Sequence, residues 1–213
     1  MLVYIYYFLM LVCFATGLFY LKYTYIKLLV ALLSFSIITE IAVEIIGKET
    51  NGYYFLYHFF IIIEYIFITL ILKRWITNKW VQKIMMISLF VFCFASLLIS
   101  LFVQDFSFFP SINANIEGML IITWCIISFF SIVPLENTAI YQLPVFWVTL
   151  AFFIYFAGTL GINGVYNHLL SQEAATAKKI YGIFNSVSNY VLYILLTIGI
   201  LCHNQDRKYS ALL

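Results

Sequence analysis

The stretch YYFLYHFFIIIEYIFITLIL runs from Tyr53 to Leu72 and is apolar or aromatic except for His58, Glu64 and Thr69. A helix needs about 20 predominantly apolar residues to cross the hydrocarbon core of a bilayer. Ionisable groups inside such a run are costly in lipid and are kept where they face a bundle interior. The stretch therefore predicts a membrane helix and, with it, an internal polar site.

The rest of the chain repeats the pattern. Stretches 2–20, 27–46, 53–72, 82–103, 114–133, 143–161 and 179–202 all have spanning length and apolar character. The separators carry charge and turn residues: Lys22–Tyr25, Gly47–Gly52, Lys73–Trp80, Gln104–Ser111, Pro134–Gln142 and Asn163–Lys178. Gly and Pro punctuate such boundaries. Of 213 residues, 65% are hydrophobic and 9% charged, where a soluble domain has about 45–50% and about 25%. A soluble fold of this composition would have too little polar surface to present to water. The expected fold is all-α, one transmembrane domain over residues 1–213 built as a seven-helix bundle. The first stretch lacks a basic lead-in and a small-x-small cleavage site, so it reads as a membrane helix rather than a signal peptide.

Lys and Arg concentrate on the cytoplasmic side of membrane proteins. Lys22, Lys27, Lys73, Arg74, Lys79, Lys83, Arg207 and Lys208 fall on one side, and Lys48, Lys178 and Lys179 on the other. This predicts an outside N-terminus and a cytoplasmic C-terminus. Tyrosines and tryptophans such as Tyr4, Tyr7, Tyr20, Trp75 and Trp80 fall at the expected interfaces, where amphipathic rings settle.

The polar residues within the stretches are Glu40 and Glu44 in the second, His58 and Glu64 in the third, and Glu117 in the fifth. The seventh adds Asn185, Ser186, Ser188 and Asn189. Helical spacing turns some of them into stripes. Ser36, Glu40, Glu44 and Lys48 share one ridge, and Tyr57 and Glu64 one face, with His58, Tyr65 and Thr69 on the face beside it. Asn113 pairs with Glu117, and Tyr181, Asn185, Ser188 and Asn189 line one side of their helix. With about 1.5 Å of rise per residue, Glu40, His58, Glu64, Glu117, Asn185 and Asn189 all fall in the outer half of the bilayer. These six are the expected ligand- or ion-binding residues.

Several carboxyl groups at that depth, with no Lys or Arg beside them, point to a shared proton, a cation, a small molecule or a cationic lipid headgroup. Plainer readings stand beside this one. Glu44 and Lys48 can form an interfacial ion pair, Glu117 can favour the positive end of its helix, and the Asn and Ser groups can join helices through hydrogen bonds.

No H-E-x-x-H, G-x-S-x-G or P-loop is present, so the catalytic chemistries those motifs serve are not expected. The scattered cysteines Cys13, Cys93, Cys125 and Cys202 lack metal or redox spacing. No cofactor or metal is expected. A net charge of +2 without a basic stripe argues against a nucleic-acid partner. The expected partners are membrane lipids, a small-molecule or cation ligand, and a protein partner or a second copy of the chain.

The segments Tyr57 to Tyr65, Asn115-Ile-Glu-Gly118, Pro144 to Gly158, and Ser188-Asn-Tyr190 through Gly199 resemble a family of small multi-pass bacterial membrane proteins of unassigned activity. The resemblance implies an inner-membrane seven-helix protein with His58, Glu64 and Glu117 on its motifs. It supplies no substrate. The leading expectation is a non-enzymatic sensor or accessory with an outward polar cavity. The alternatives are a proton- or cation-coupled carrier or channel, an intramembrane lipid-modifying enzyme using Glu64 and His58 as acid and base, and a structural subunit.

Overall fold

The computed structural model describes residues 2–47, 52–132, 139–172 and 174–205. They form seven α-helices: α1 Leu2–Phe19, α2 Thr24–Ile46, α3 Tyr54–Lys73, α4 Lys79–Phe102, α5 Ser111–Phe130, α6 Pro144–Gln172 and α7 Ala174–Leu201. Short 3-10 turns lie at Ile140–Gln142 and Cys202–Gln205. The chain is all-α, and α2 through α7 are long and apolar enough to cross a membrane. α1 is a shorter apolar helix. Lys48, Glu49, Pro134, Glu173, Asp206, Arg207 and Lys208, and the side chains of His168 and Lys178, lie outside what is described.

Local chemistry sets the ends. Gly47 closes α2 at φ 84°, a left-handed value that suits glycine, with its N–H bonded to the Val43 carbonyl at 3.1 Å. Asn78 opens α4, its Oδ1 accepting the N–H groups of Trp80 at 2.9 Å and Val81 at 3.3 Å, as an N-cap does. Pro144 begins α6, where its missing N–H costs nothing.

One expected loop is helix. The separator Asn163–Lys178 is taken up by α6, which continues to Gln172, and by α7, which begins at Ala174. Apolar patterning marks where a helix is buried, not where its backbone hydrogen bonds stop. Strong helix formers such as Ala174, Ala175 and Ala177 carry α7 beyond its apolar part.

Packing closes a ring in the order α1, α2, α3, α5, α6, α7 and back to α1, with α4 outside it against α3 and α5. Accordingly α4 exposes Phe90, Val91, Phe94, Leu97, Leu98 and Leu101. A close approach joins α6 and α7: a Cβ on Gly199 would stand 2.8 Å from Val148 Cγ2. The Gly199 carbonyl also accepts the Tyr25 hydroxyl at 3.2 Å, tying α2 to the same point.

A second tie joins α3, α4 and α5. Tyr65 Oη lies 2.8 Å from Ser88 Oγ and accepts the Trp124 indole N–H at 3.1 Å. Tyr65→Phe strands that buried donor, and the expected loss is about 1–2 kcal/mol, read as a lower thermal unfolding midpoint in detergent. An unchanged midpoint would show that the indole finds another acceptor.

Candidate functional site

The ring encloses a cavity of about 120 Å³. The helices contribute to it in register. Ser36 and Glu40 on α2 are four apart, Tyr57 and Glu64 on α3 seven apart, and Tyr181, Asn185, Asn189 and Tyr193 on α7 follow at intervals of four, so each set shares a face. α5 supplies Glu117, and α6 supplies Tyr155, Thr159 and Asn163. The carboxyls and amides come from the end of the bundle where α2 and α6 finish and α3, α5 and α7 start. Leu32, Leu33, Leu192 and Leu196 wall the deeper part.

The structure thus brings Glu40, Glu64, Glu117, Asn185 and Asn189 to one cavity. Glu117 is 2% exposed, and its Oε1 is buried without a hydrogen-bond partner. Glu64 is close enough to Glu117 for the two to interact electrostatically. Tyr7 on α1 reaches across to α2, its hydroxyl 3.0 Å from Glu40 Oε2 and 3.2 Å from Glu44 Oε1. Asn189 Nδ2 is used within α7, donating to the Asn185 carbonyl at 2.8 Å and to Asn185 Oδ1 at 3.2 Å. Asn163 Oδ1, like Glu117 Oε1, is buried without a partner. No Lys, Arg or His among the described residues lines the cavity.

His58 is the departure. It is 1% exposed but does not line the cavity. Its Nε2 lies 3.1 Å from the Phe108 carbonyl and its Nδ1 2.7 Å from Ser100 Oγ. A carbonyl can only accept, so Nε2 carries the hydrogen, and in the neutral ring Nδ1 accepts from the Ser100 hydroxyl. That hydroxyl in turn accepts from Asn113 Nδ2 at 3.0 Å, and Asn113 Nδ2 also bonds the Ser96 carbonyl at 3.2 Å. His58 therefore joins α3, α4, α5 and the loop between the last two. Glu64 and His58 do not meet as an acid–base pair in this cavity.

Two plainer readings also change. α5 starts at Ser111, so Glu117 is its seventh residue and no acidic group lies in the first turn. The dipole explanation for Glu117 falls away, since that effect fades beyond the first turn. Glu44 accepts from Tyr7; an ion pair with Lys48 falls outside the described residues.

The sequence reading missed Tyr155, Asn163 and Tyr193. A signal is present: Tyr155, Thr159 and Asn163 form an i, i+4 series, hidden because Asn163 opens the expected separator Asn163–Lys178. Tyr193 continues the α7 stripe by one more turn. Among the described residues no group of three or more His, Cys, Asp or Glu could hold a metal ion. The four cysteines are free.

No protein-family model, no curated protein and no solved structure matches the chain. The resemblance to a bacterial multi-pass family therefore supports no assignment, and the site has to be read on its own chemistry.

Proposed function

We propose that the chain is a non-enzymatic multi-pass membrane protein that holds a small molecule, a lipid headgroup or a cation in its central cavity, as a sensor or an accessory of a membrane complex. The observation that carries this is Glu117, which lines the cavity and whose Oε1 is buried without a hydrogen-bond partner. A polar atom so placed costs free energy, and evolution tolerates such costs mainly where function needs them.

In this reading all seven helices span the cell membrane, a bacterial inner membrane, as a single domain. Lys22, Lys27, Lys73, Arg74, Lys79 and Lys83 flank the α1–α2 and α3–α4 turns, at the end opposite the cavity. The positive-inside tendency then favours an outside N-terminus, a cytoplasmic C-terminus and a cavity opening outward.

Native mass spectrometry of protein released from nanodiscs tests the binding claim. A retained adduct, lost in Glu117→Gln, is expected; a bare protein would overturn it. The Glu64–Glu117 pair also suits a proton-coupled carrier, but the leucine wall below them favours a closed site. Proteoliposomes are expected to show no proton or cation flux above empty liposomes. Flux abolished by Glu64→Gln would establish the carrier instead.

A further inference from the structure

We propose that the cavity is a site for a small organic ammonium, free or as the headgroup of a lipid, with Glu117 and Glu64 as its counter-charges and the tyrosine rings as its walls. This rests on the binding reading above and narrows it to one ligand chemistry.

The unsatisfied atoms set the direction. Glu117 Oε1 and Asn163 Oδ1 are both acceptors without a partner. The Asn189 amide donor is already engaged by Asn185. What enters must therefore bring hydrogens to donate, or positive charge. An anion would meet carboxyl groups with no Lys, Arg or His among the described lining residues to oppose them.

Two simpler cations fit less well. A hard metal ion wants six or more oxygens at about 2–2.6 Å, and the described carboxyls do not converge into a metal-holding group. A bare proton would satisfy one carboxyl but leave the space unfilled. The cavity's roughly 120 Å³ is several times the approximately 10–15 Å³ that one water requires.

The walls suit an alkylated cation. Tyr57, Tyr155, Phe156, Tyr181 and Tyr193 line the same cavity as the carboxyls, and aromatic faces attract ammonium groups most strongly when water is excluded. Tyr155 lines the same cavity as Glu64 and Glu117 and is within electrostatic range of both.

The test uses the full chain in phosphatidylglycerol nanodiscs, titrated with methylammonium, ethanolamine and choline. The neutral isostere of choline, 3,3-dimethylbutan-1-ol, is the control. At least one ammonium is expected to raise the unfolding midpoint while the neutral isostere does not. Glu117→Gln, which keeps the shape, should bind roughly tenfold to a hundredfold more weakly, the range for one lost hydrogen bond to a charged group.

Adding phosphatidylethanolamine to the nanodiscs separates the two sources. Loss of the free-amine response would identify the headgroup as occupant, and retention would identify the soluble amine. Equal binding of the neutral isostere, or an unweakened Glu117→Gln, overturns the ammonium assignment and leaves the cavity a ligand site. No response to any of the four compounds, with no adduct in native mass spectrometry, overturns both.

Discussion

His58→Ala is expected to cost the bundle about 2–3 kcal/mol and to leave ligand binding in the cavity unchanged. The imidazole makes two hydrogen bonds, to Ser100 Oγ and to the Phe108 carbonyl. Side-chain bonds between membrane helices average only about 0.6 kcal/mol, with a maximum near 1.7. Direct loss of two bonds is thus the smaller part. The larger part is what alanine leaves behind: a void, and a Ser100 hydroxyl whose hydrogen has lost its acceptor at a residue 4% exposed. The Phe108 carbonyl sits in a loop beside exposed residues and can turn to water, so it adds little. Unfolding midpoints in detergent, with ligand titrations on the same samples, check both halves. His58→Gln should recover part of the stability, because an amide can still donate to Phe108. Lost binding in a folded His58→Ala protein would return the imidazole to the cavity's chemistry and revive the acid–base reading.

The placement of His58 shows what the sequence could and could not reveal. Depth along the helix places it near the level of the carboxyls. Its direction was also legible: six residues separate His58 from Glu64, which at about 100° per residue leaves them about 120° apart around the axis. What no single sequence discloses is which face looks inward. That depends on α4 standing outside the ring, so the face of α3 carrying His58 meets α4 while the face carrying Glu64 meets the cavity. The helix cores were legible because lipid demands long apolar runs. The α6–α7 connection was not, because a helix can outlast its apolar stretch. Tyr155 and Tyr193 were hidden for a third reason. A tyrosine suits an interface as well as a cavity wall, and only packing decides which it occupies.

Glu117→Leu is expected to act in the opposite direction, stabilising the ligand-free protein by about 1–3 kcal/mol while abolishing its response to ligand. The native side chain holds a buried acceptor with no partner, and leucine removes that liability. The adjoining cavity gives the new side chain room, so overpacking does not offset the gain. Ligand then reverses the order. At a free concentration one thousand times its Kd, a ligand adds about 4.1 kcal/mol to the protein that binds it and nothing to one that does not. Wild type should overtake Glu117→Leu in the presence of ligand and fall below it without. Denaturation curves with and without the ammonium compounds measure both orders. A variant less stable than wild type in the absence of ligand would mean that Glu117 holds the fold together and is no ligand group. Asn113→Leu supplies the contrast on the same helix. Asn113, one turn before Glu117, is fully buried and also has an unpartnered Oδ1, but its Nδ2 donates to the Ser96 carbonyl and to Ser100 Oγ, so losing those bonds to the same substitution is expected to destabilise. Opposite signs at two buried polar positions four residues apart would separate the part of α5 that builds the bundle from the part that serves the cavity.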